Sequence, residues 1–330
     1  MRSLLLWCLG ILLLAAGGLG AWYALYLNSP APGSGPVIVV IPRGAGVRQI
    51  GALLAEHKLI TNDIRFLILA RLNHAGSRLQ AGEFSIPRGL RPAEVLDLLA
   101  RGRVVQHRLT IPEGLTMVEI AALYAQDGWV AKEDFLHLCN DPVFIHNLGI
   151  KENRLEGYLF PDTYLLVRGE TNARSIITTM VKRFLDIWQQ VAPKTQNSMT
   201  RHQIVTLASI VEKETANAAE RPLIARVFLN RLQKAMRLQS DPTVIYGLSE
   251  FNGNLTRKDL RRPTPYNTYI IDGLPPGPIC NPGKAAIMAV LHPADSTALY
   301  FVSKNNGSHK FSNTLKEHNR AVRKYQKRHP

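Results

Sequence analysis

The sequence predicts an α+β protein in three parts: an N-terminal transmembrane helix, a small α+β module over residues 37–103, and a larger α+β domain over residues 104–330. Three observations carry that prediction. Residues 4–27 form an unbroken apolar run, and an Ile-Pro-x-Gly pattern recurs three times, each time between a β-rich stretch and a helical one. The second half alternates amphipathic helical patterns with loops rich in proline and glycine. At 330 residues the chain is long enough for two units with substantial cores. With 46% hydrophobic and 20% charged residues it falls outside the disordered and collagen-like classes, and three cysteines cannot make a disulfide scaffold.

At 1.5 Å per residue, residues 4–27 are long enough to cross a hydrocarbon core of about 30 Å. The alternative is a cleaved signal peptide, since Gly18 and Gly20 have the small-x-small spacing of a cleavage site. That spacing lies inside the apolar run, and Trp22, Tyr23, Leu25 and Tyr26 make its flank aromatic, as at a membrane interface. Retention as an anchor is therefore expected. Arg2 and the amino terminus place the positive side in the cytoplasm, which puts nearly the whole chain outside it, on the periplasmic face of a cell inner membrane. Residues 28–36 (NSPAPGSGP) read as a flexible tether. Cys8 falls in the span, and the two exported cysteines, Cys139 and Cys280, are expected to stay unpaired.

Beyond the tether the chain repeats itself. Ile41-Pro42-Arg43-Gly44, Ile86-Pro87-Arg88-Gly89 and Ile111-Pro112-Glu113-Gly114 are each followed by an aliphatic residue (Ile50, Val95, Ile120) and then by Leu53-Leu54-Ala55, Leu98-Leu99-Ala100 or Leu123-Tyr124-Ala125. Proline ends each strand by withholding a ladder donor, glycine permits the turn, and the aliphatic spacing makes one buried helical face. Each copy is thus a strand-turn-helix unit. With two helical stretches between its strands, and the run Arg71-Leu72-Asn73 before Leu79-Gln80-Ala81-Gly82, the segment 37–103 is similar to a LysM module. That resemblance implies binding to chains containing N-acetylglucosamine; a purely packing role is the other reading.

The formal net charge is +15, which invites anionic partners. Nucleic acid is not expected, because helix-turn-helix signals, zinc-ligand spacings and aromatic-interleaved basic strands are missing. Anionic lipid or an acidic wall polymer fits better. In the tail, Lys316, Arg320, Arg323, Lys324, Lys327 and Arg328 outweigh Glu317, a pattern that reads as a solvated terminal helix. No Gly-x-Ser-x-Gly, His-Glu-x-x-His, Cys-x-x-Cys or phosphate loop appears, so neither a metal nor another cofactor is expected.

Ile204, Leu207, Ala208 and Val211 repeat at helical spacing, which predicts an amphipathic helix over residues 203–215. On that helix Glu212 and Glu214 fall about 80° to either side of the apolar stripe. Glu214 lies over Leu207, Ile210 and Val211, so partial desolvation should keep it protonated to higher pH than Glu212. A proton-bearing glutamate on an apolar rim is the general acid that glycosidic cleavage needs; a charged helix flank is the plainer reading. Glu220-Arg221-Pro222 opens a second helix, and Ser240 or Asp241 before Pro242 suits a helix cap. Pro265-Tyr266-Asn267-Thr268-Tyr269 and Gly273-Leu274-Pro275-Pro276-Gly277-Pro278 are loops whose amides and rings suit a sugar groove, or are simply turns. Tyr300-Phe301-Val302 and His309-Lys310-Phe311 read as a hairpin around Asn305-Asn306-Gly307.

Taken together, Ser209-Ile210-Val211-Glu212-Lys213-Glu214-Thr215, Glu220-Arg221, Asn230-Arg231, Leu238-Gln239-Ser240-Asp241-Pro242-Thr243-Val244-Ile245-Tyr246-Gly247, Tyr266-Asn267-Thr268-Tyr269, Gly273 to Ile279 and His318-Asn319 closely resemble the endolytic murein transglycosylase, or YceG-like, family. The resemblance implies a lyase that cuts the β-1,4 bond between N-acetylmuramic acid and N-acetylglucosamine within nascent strands, leaves 1,6-anhydro ends and so terminates the strands. It implies Glu214 as general acid and then base. Tyr266, Asn267 and Tyr269 would line the saccharide groove, with Gln239, Ser240 and Asp241 nearby for binding or for holding Glu214. Glu212 and Glu220 would orient the site or pair with Lys213 and Arg221. Peptidoglycan synthases of the penicillin-binding class and the elongation or division machinery are the implied partners. A non-catalytic peptidoglycan-binding scaffold and a hydrolytic muramidase are the alternatives.

Overall fold

The computed structural model describes residues 2–102, 104–192 and 199–326, in two units: residues 1–109 with 165–171, and residues 110–164 with 172–330. Arg103, the end of the expected module, and Lys327 and Arg328 of the tail lie outside the described residues.

The first unit begins with α1 (Arg2–Leu27), whose stretch Leu6–Leu27 is long and apolar enough to cross a membrane. After it come β1 (Pro36–Ile41), α2 (Val47–Glu56), α3 (Ile64–Leu72), β2 (Gly82–Pro87), α4 (Pro92–Arg101) and β3 (His107–Thr110). β1 and β2 pair antiparallel, with Val39 opposite Phe84 and Ile41 opposite Gly82. The inward residues Val39, Ile41, Phe84 and Ile86 meet Ile50 and Leu54 of α2, Phe66 of α3, and Val95 and Leu99 of α4 in one core. Asp63 caps α3 by accepting the Arg65 N–H, and the Arg65 guanidinium lies 4.8 Å from the ring centroids of both Trp22 and Tyr26. This cation–π sandwich fastens the end of α1 to the module.

Each Ile-Pro-x-Gly copy folds as a strand, a turn and a helix. β1, β2 and β3 end at the three motifs, and α2, α4 and α5 (Met117–Gln126) come after them. Gly44, Gly89 and Gly114 adopt φ values of 81°, 85° and 81°, a left-handed turn that a Cβ would strain. The six pattern positions Ile50, Leu54, Val95, Leu99, Ile120 and Tyr124 are all buried.

The second unit continues with α6 (Lys132–Leu138), α7 (Pro142–Asn147) and α8 (Ala173–Val191); β4 (Thr163–Leu166) pairs with β3, and the chain passes from one unit to the other within each of these two strands. Then come α9 (Arg201–Glu214), α10 (Arg221–Gln233), α11 (Asp241–Gly247), α12 (Lys284–Leu291), the antiparallel pair β5 (Tyr300–Ser303) and β6 (His309–Ser312), and α13 (Leu315–Tyr325). α9, α10 and α12 pack on one another, and α13 lies against the hairpin. Thr200 opens α9 with a capping box, its hydroxyl accepting the Gln203 N–H while the Gln203 side chain accepts the Thr200 N–H.

One expectation changes here. α9 is not an amphipathic helix over its middle: Ile204 to Val211 are buried on every face. Its polar residue Ser209 is absorbed by neighbours that sequence spacing cannot see, while the Thr206 hydroxyl is buried without a partner. The Ser209 hydroxyl accepts the Ile279 N–H at 3.0 Å and donates to Thr206 O, and the Cys280 thiol donates to Ser209 O. Cys139 and Cys280 are buried free thiols.

Candidate active site

α9 is sheathed from Ile204 to Val211, and Glu214 is its final residue. A carboxyl there meets two effects of one sign. Burial withholds water from the anion, and the helix C-terminus carries partial negative charge. Glu214 is pushed up to about 7, with burial the largest cause and the Asp241 charge adding to it; a hydrogen bond from Ser240 and the charge of Arg231 work against the rise.

The Ser240 hydroxyl donates to Glu214 Oε1 at 2.5 Å. Ser240 is the N-cap of α11, yet its side chain makes no cap bond, and Asp241 is the first helical residue instead of the cap. The hydroxyl is thus released from the local role its position suggests and is aimed at Glu214. Its backbone is pinned to do this: Ser240 N–H donates to Thr268 Oγ1 at 2.9 Å, and Thr243 Oγ1 donates to Ser240 O at 2.6 Å. Gln239, at φ 51°, takes a left-handed conformation held by its N–H bond to Thr268 O, and its side chain is exposed.

Tyr269 donates to Asp241 Oδ1 at 2.6 Å, placing both beside the Ser240–Glu214 contact. Asn267 is fully buried; its amide donates to the carbonyls of Leu260 and Arg262 at 3.2 and 2.8 Å, and its Oδ1 accepts the Tyr269 N–H. Asn267 therefore shapes the loop that carries Thr268 and Tyr269 and faces no groove. Tyr266 packs edge-on against Tyr246, with ring centroids 4.7 Å apart, and lines a different cavity from Glu214.

Glu212 and Glu220 are tied elsewhere. Arg221 donates to Glu212 Oε1 at 2.6 Å, and Gly283 N–H donates to its Oε2 at 3.0 Å. Lys213 reaches Gly114 O at 3.3 Å, with no ion pair to either glutamate among the described residues. Glu220 accepts the N–H and the Nδ1 of His309, at 3.0 and 2.7 Å, and not Lys213 or Arg221. Although burial alone would raise it, these His309 bonds hold its carboxyl low.

Glu214 opens on a cavity of about 430 Å³, lined also by Glu113, Gly114, Glu212, Lys213, Thr215 and Arg221. The turn of the third repeat thus supplies one wall. Two groups near the site carry no role in the sequence reading. Arg231 is buried with its guanidinium donating to Leu299 O and Leu238 O, both at 2.7 Å, and it makes no ion pair among the described residues, so its charge is free to act on Glu214. Glu156 is buried, raised to about 7 by burial, and accepts from Met117 N–H, Asn281 and Tyr246. A single glutamate inside the run Leu155-Glu156-Gly157-Tyr158-Leu159-Phe160 is the sequence signal that would have found it.

Chemically, Glu214 can give up a proton and take it back near neutral pH, and its partner Ser240 is a neutral donor that does not lock it as an anion.

The sequence matches the model of the YceG-like family over residues 39–324. It is 34% identical over 307 residues to the endolytic murein transglycosylase of Bacillus subtilis, covering 88% of this chain and 84% of that protein. It is 31% identical to the endolytic murein transglycosylase of Streptococcus pneumoniae, covering 94% of this chain and 62% of that longer protein. Among solved structures it resembles the 2.6 Å crystal structure of a YceG-like protein of Listeria monocytogenes, with a TM-score of 0.61 and 36% identity, covering 86% of this chain and 98% of that one.

Proposed function

The chain belongs to the YceG-like family, and from that premise we propose a mechanism in which Glu214 is first the acid and then the base of glycosidic cleavage. The protein is an enzyme, an endolytic murein transglycosylase that cuts peptidoglycan. Glu214, protonated because it is half-buried at a helix C-terminus, gives its proton to the oxygen linking N-acetylmuramic acid to N-acetylglucosamine as that bond breaks. The 2-acetamido group of the muramyl sugar stabilises the cationic carbon. Glu214, now an anion held by Ser240, takes the proton of the muramyl O6 hydroxyl as that oxygen closes the 1,6-anhydro ring. The proton returns to Glu214, and no water is consumed.

The observation that carries this reading is the pairing of Glu214 with one neutral hydroxyl while Glu212, two residues away, is committed to Arg221 and the Gly283 N–H. A hydrolase of the inverting kind needs a second carboxylate free to activate water. Ser240, braced by Thr268 and Thr243, steadies the anion; Asp241 with Tyr269 adds negative charge beside the cationic centre; Gln239 presents its side chain to substrate; and Asn267 shapes the loop.

The α1 helix anchors the chain with its N-terminus in the cytoplasm and the catalytic unit on the periplasmic face of the inner membrane. There Glu214 meets strands as they leave the peptidoglycan synthases, penicillin-binding proteins of the elongation or division machinery, and cutting ends their growth. The β1-α2-α3-β2 order with antiparallel strands supports a LysM-like, glycan-binding role for residues 37–103. The test is product analysis: the full chain in detergent, given uncrosslinked strands, yields internal fragments with 1,6-anhydro ends, and Glu214→Gln yields none. Reducing ends carrying oxygen from labelled water would reject the mechanism.

A further inference from the structure

A second cavity of the catalytic unit, about 320 Å³, is left unused by the chemistry above. Its walls include Glu152, Arg154, Glu156, His202, Tyr266 and Pro276. Two of these have open valence. Arg154 is exposed and makes no hydrogen bond or ion pair among the described residues, and its charge reaches Glu156 and Tyr266. Glu152 Oε2 is shut away from solvent with no hydrogen-bond partner, while its Oε1 lies 3.6 Å from His202 Nδ1. A buried carboxylate oxygen without a donor is costly, and a donor supplied by a ligand would remove that cost. His202 does not meet this oxygen: its Nε2 lies 2.8 Å from Pro276 O and its Nδ1 3.0 Å from the Tyr158 hydroxyl, and the Glu152 atom facing that pair is Oε1. Tyr266, propped on Tyr246, and the Pro276-Gly277-Pro278 segment add an apolar wall.

A free cation, a free acceptor and an apolar wall within one small cavity suit a ligand that carries a carboxylate and an N–H or ammonium group on a short chain. That is the chemistry of a peptide, whereas a neutral saccharide would leave the charges unmatched. The cavity is also within reach of the cut. α11 touches Glu214 through Ser240 at one end and Glu156 through Tyr246 at the other, a step of six residues or about 9 Å of helix. An extended peptide advances about 3.3–3.6 Å per residue, so roughly three residues span that step. Murein is a glycan whose muramyl sugars carry short peptides.

We propose that this cavity binds the peptide branch of the muramyl residue at the cut, with Arg154 pairing with a carboxylate of the branch and Glu152 accepting from its N–H or ammonium group. The inference rests on the transglycosylase reading of the site and adds to it a determinant of substrate choice. It predicts that the full chain in detergent cuts peptide-bearing strands about tenfold faster than strands stripped of peptide by an amidase. Arg154→Gln brings that ratio close to one, and Arg154→Lys, which keeps the charge, restores part of it. A wild-type ratio near one overturns the proposal. So does an equal slowing of both substrates in Arg154→Gln, which would mark the cavity as a glycan subsite or the variant as damaged. Binding of a free N-acetylmuramyl-peptide, measured by calorimetry, separates this idea from the lyase reading: about tenfold weaker binding by Arg154→Gln supports it even if no strand is cut, and equal binding by both proteins overturns it.

Discussion

Glu212 and Glu214 leave the same turn of the same helix and line the same cavity, yet their surroundings give them opposite work. Both are raised by burial. Glu212 is answered by a guanidinium at 2.6 Å and a backbone N–H at 3.0 Å, so its oxygens are spoken for as a charged pair joining α9 to α10 and to the segment before α12. Glu214 is answered by one hydroxyl. The comparison teaches that burial alone does not mark out a candidate acid: what separates the two is whether a cation touches the carboxylate, as Arg221 does Glu212, or acts only from a distance, as Arg231 does on Glu214.

The largest expected effect breaks the comparison on the Glu214 side. Glu214→Gln should lower the cleavage rate by about 10³-fold or more, since it removes both acid and base while keeping the shape, and the melting temperature should not fall. Next comes Glu212→Ala. Removing one partner of a buried pair strands Arg221, and denaturant unfolding should show a loss of about 3–5 kcal/mol. Replacing both Glu212 and Arg221 by apolar residues of similar size should recover much of that loss.

Smaller is the dependence of stability on pH. In the unfolded chain Glu214 titrates near its ordinary value of 4.5, and in the fold near 7, so the folded state holds the extra proton between those values. Stability from this group is therefore full below about 4.5, declines as pH rises to about 7, and is flat beyond. Glu214→Gln should remove that decline and be more stable than wild type at pH 8 by at most about 3 kcal/mol, with the two proteins converging near pH 4. Glu156 carries the same shift and should contribute its own share of the wild-type decline. The smallest effect is Ser240→Ala. The rate should fall about tenfold, and because the lost bond favoured the anion, the alkaline limb of the rate profile should move to higher pH. A merely structural loss would lower the rate without moving the limb.

What could be read from the sequence tracks the range of the forces involved. The three strand-turn-helix copies were legible because proline, glycine and the aliphatic spacing act within about ten residues; Gly44, Gly89 and Gly114 share one conformation for that local reason. Glu214 stood out because helical spacing places it beside an apolar stripe. The sheathing of α9 was not legible, since Ser209 and Thr206 look like a polar face until Ile279 and Cys280 arrive from far along the chain. From its local pattern Ser240 read as a cap, because local sequence describes only the helix it precedes; only the family resemblance put it beside Glu214, a carboxylate from another helix. Asn267 suggested a sugar ligand, but its amide serves the carbonyls of its own loop. Arg231 and Glu156 act through charge and burial set by the whole fold.

The claim on which the account turns is that Glu214 holds a proton at neutral pH. Carbon-13 NMR of glutamate-labelled full chain, titrated from pH 4 to pH 9, with Glu214→Gln and Glu156→Gln to assign the signals, measures this directly. The account predicts a carboxyl, lost only in Glu214→Gln, that titrates near 7. A Glu214 signal titrating near 4.5 would contradict it, for the group would then be an anion with no proton to give.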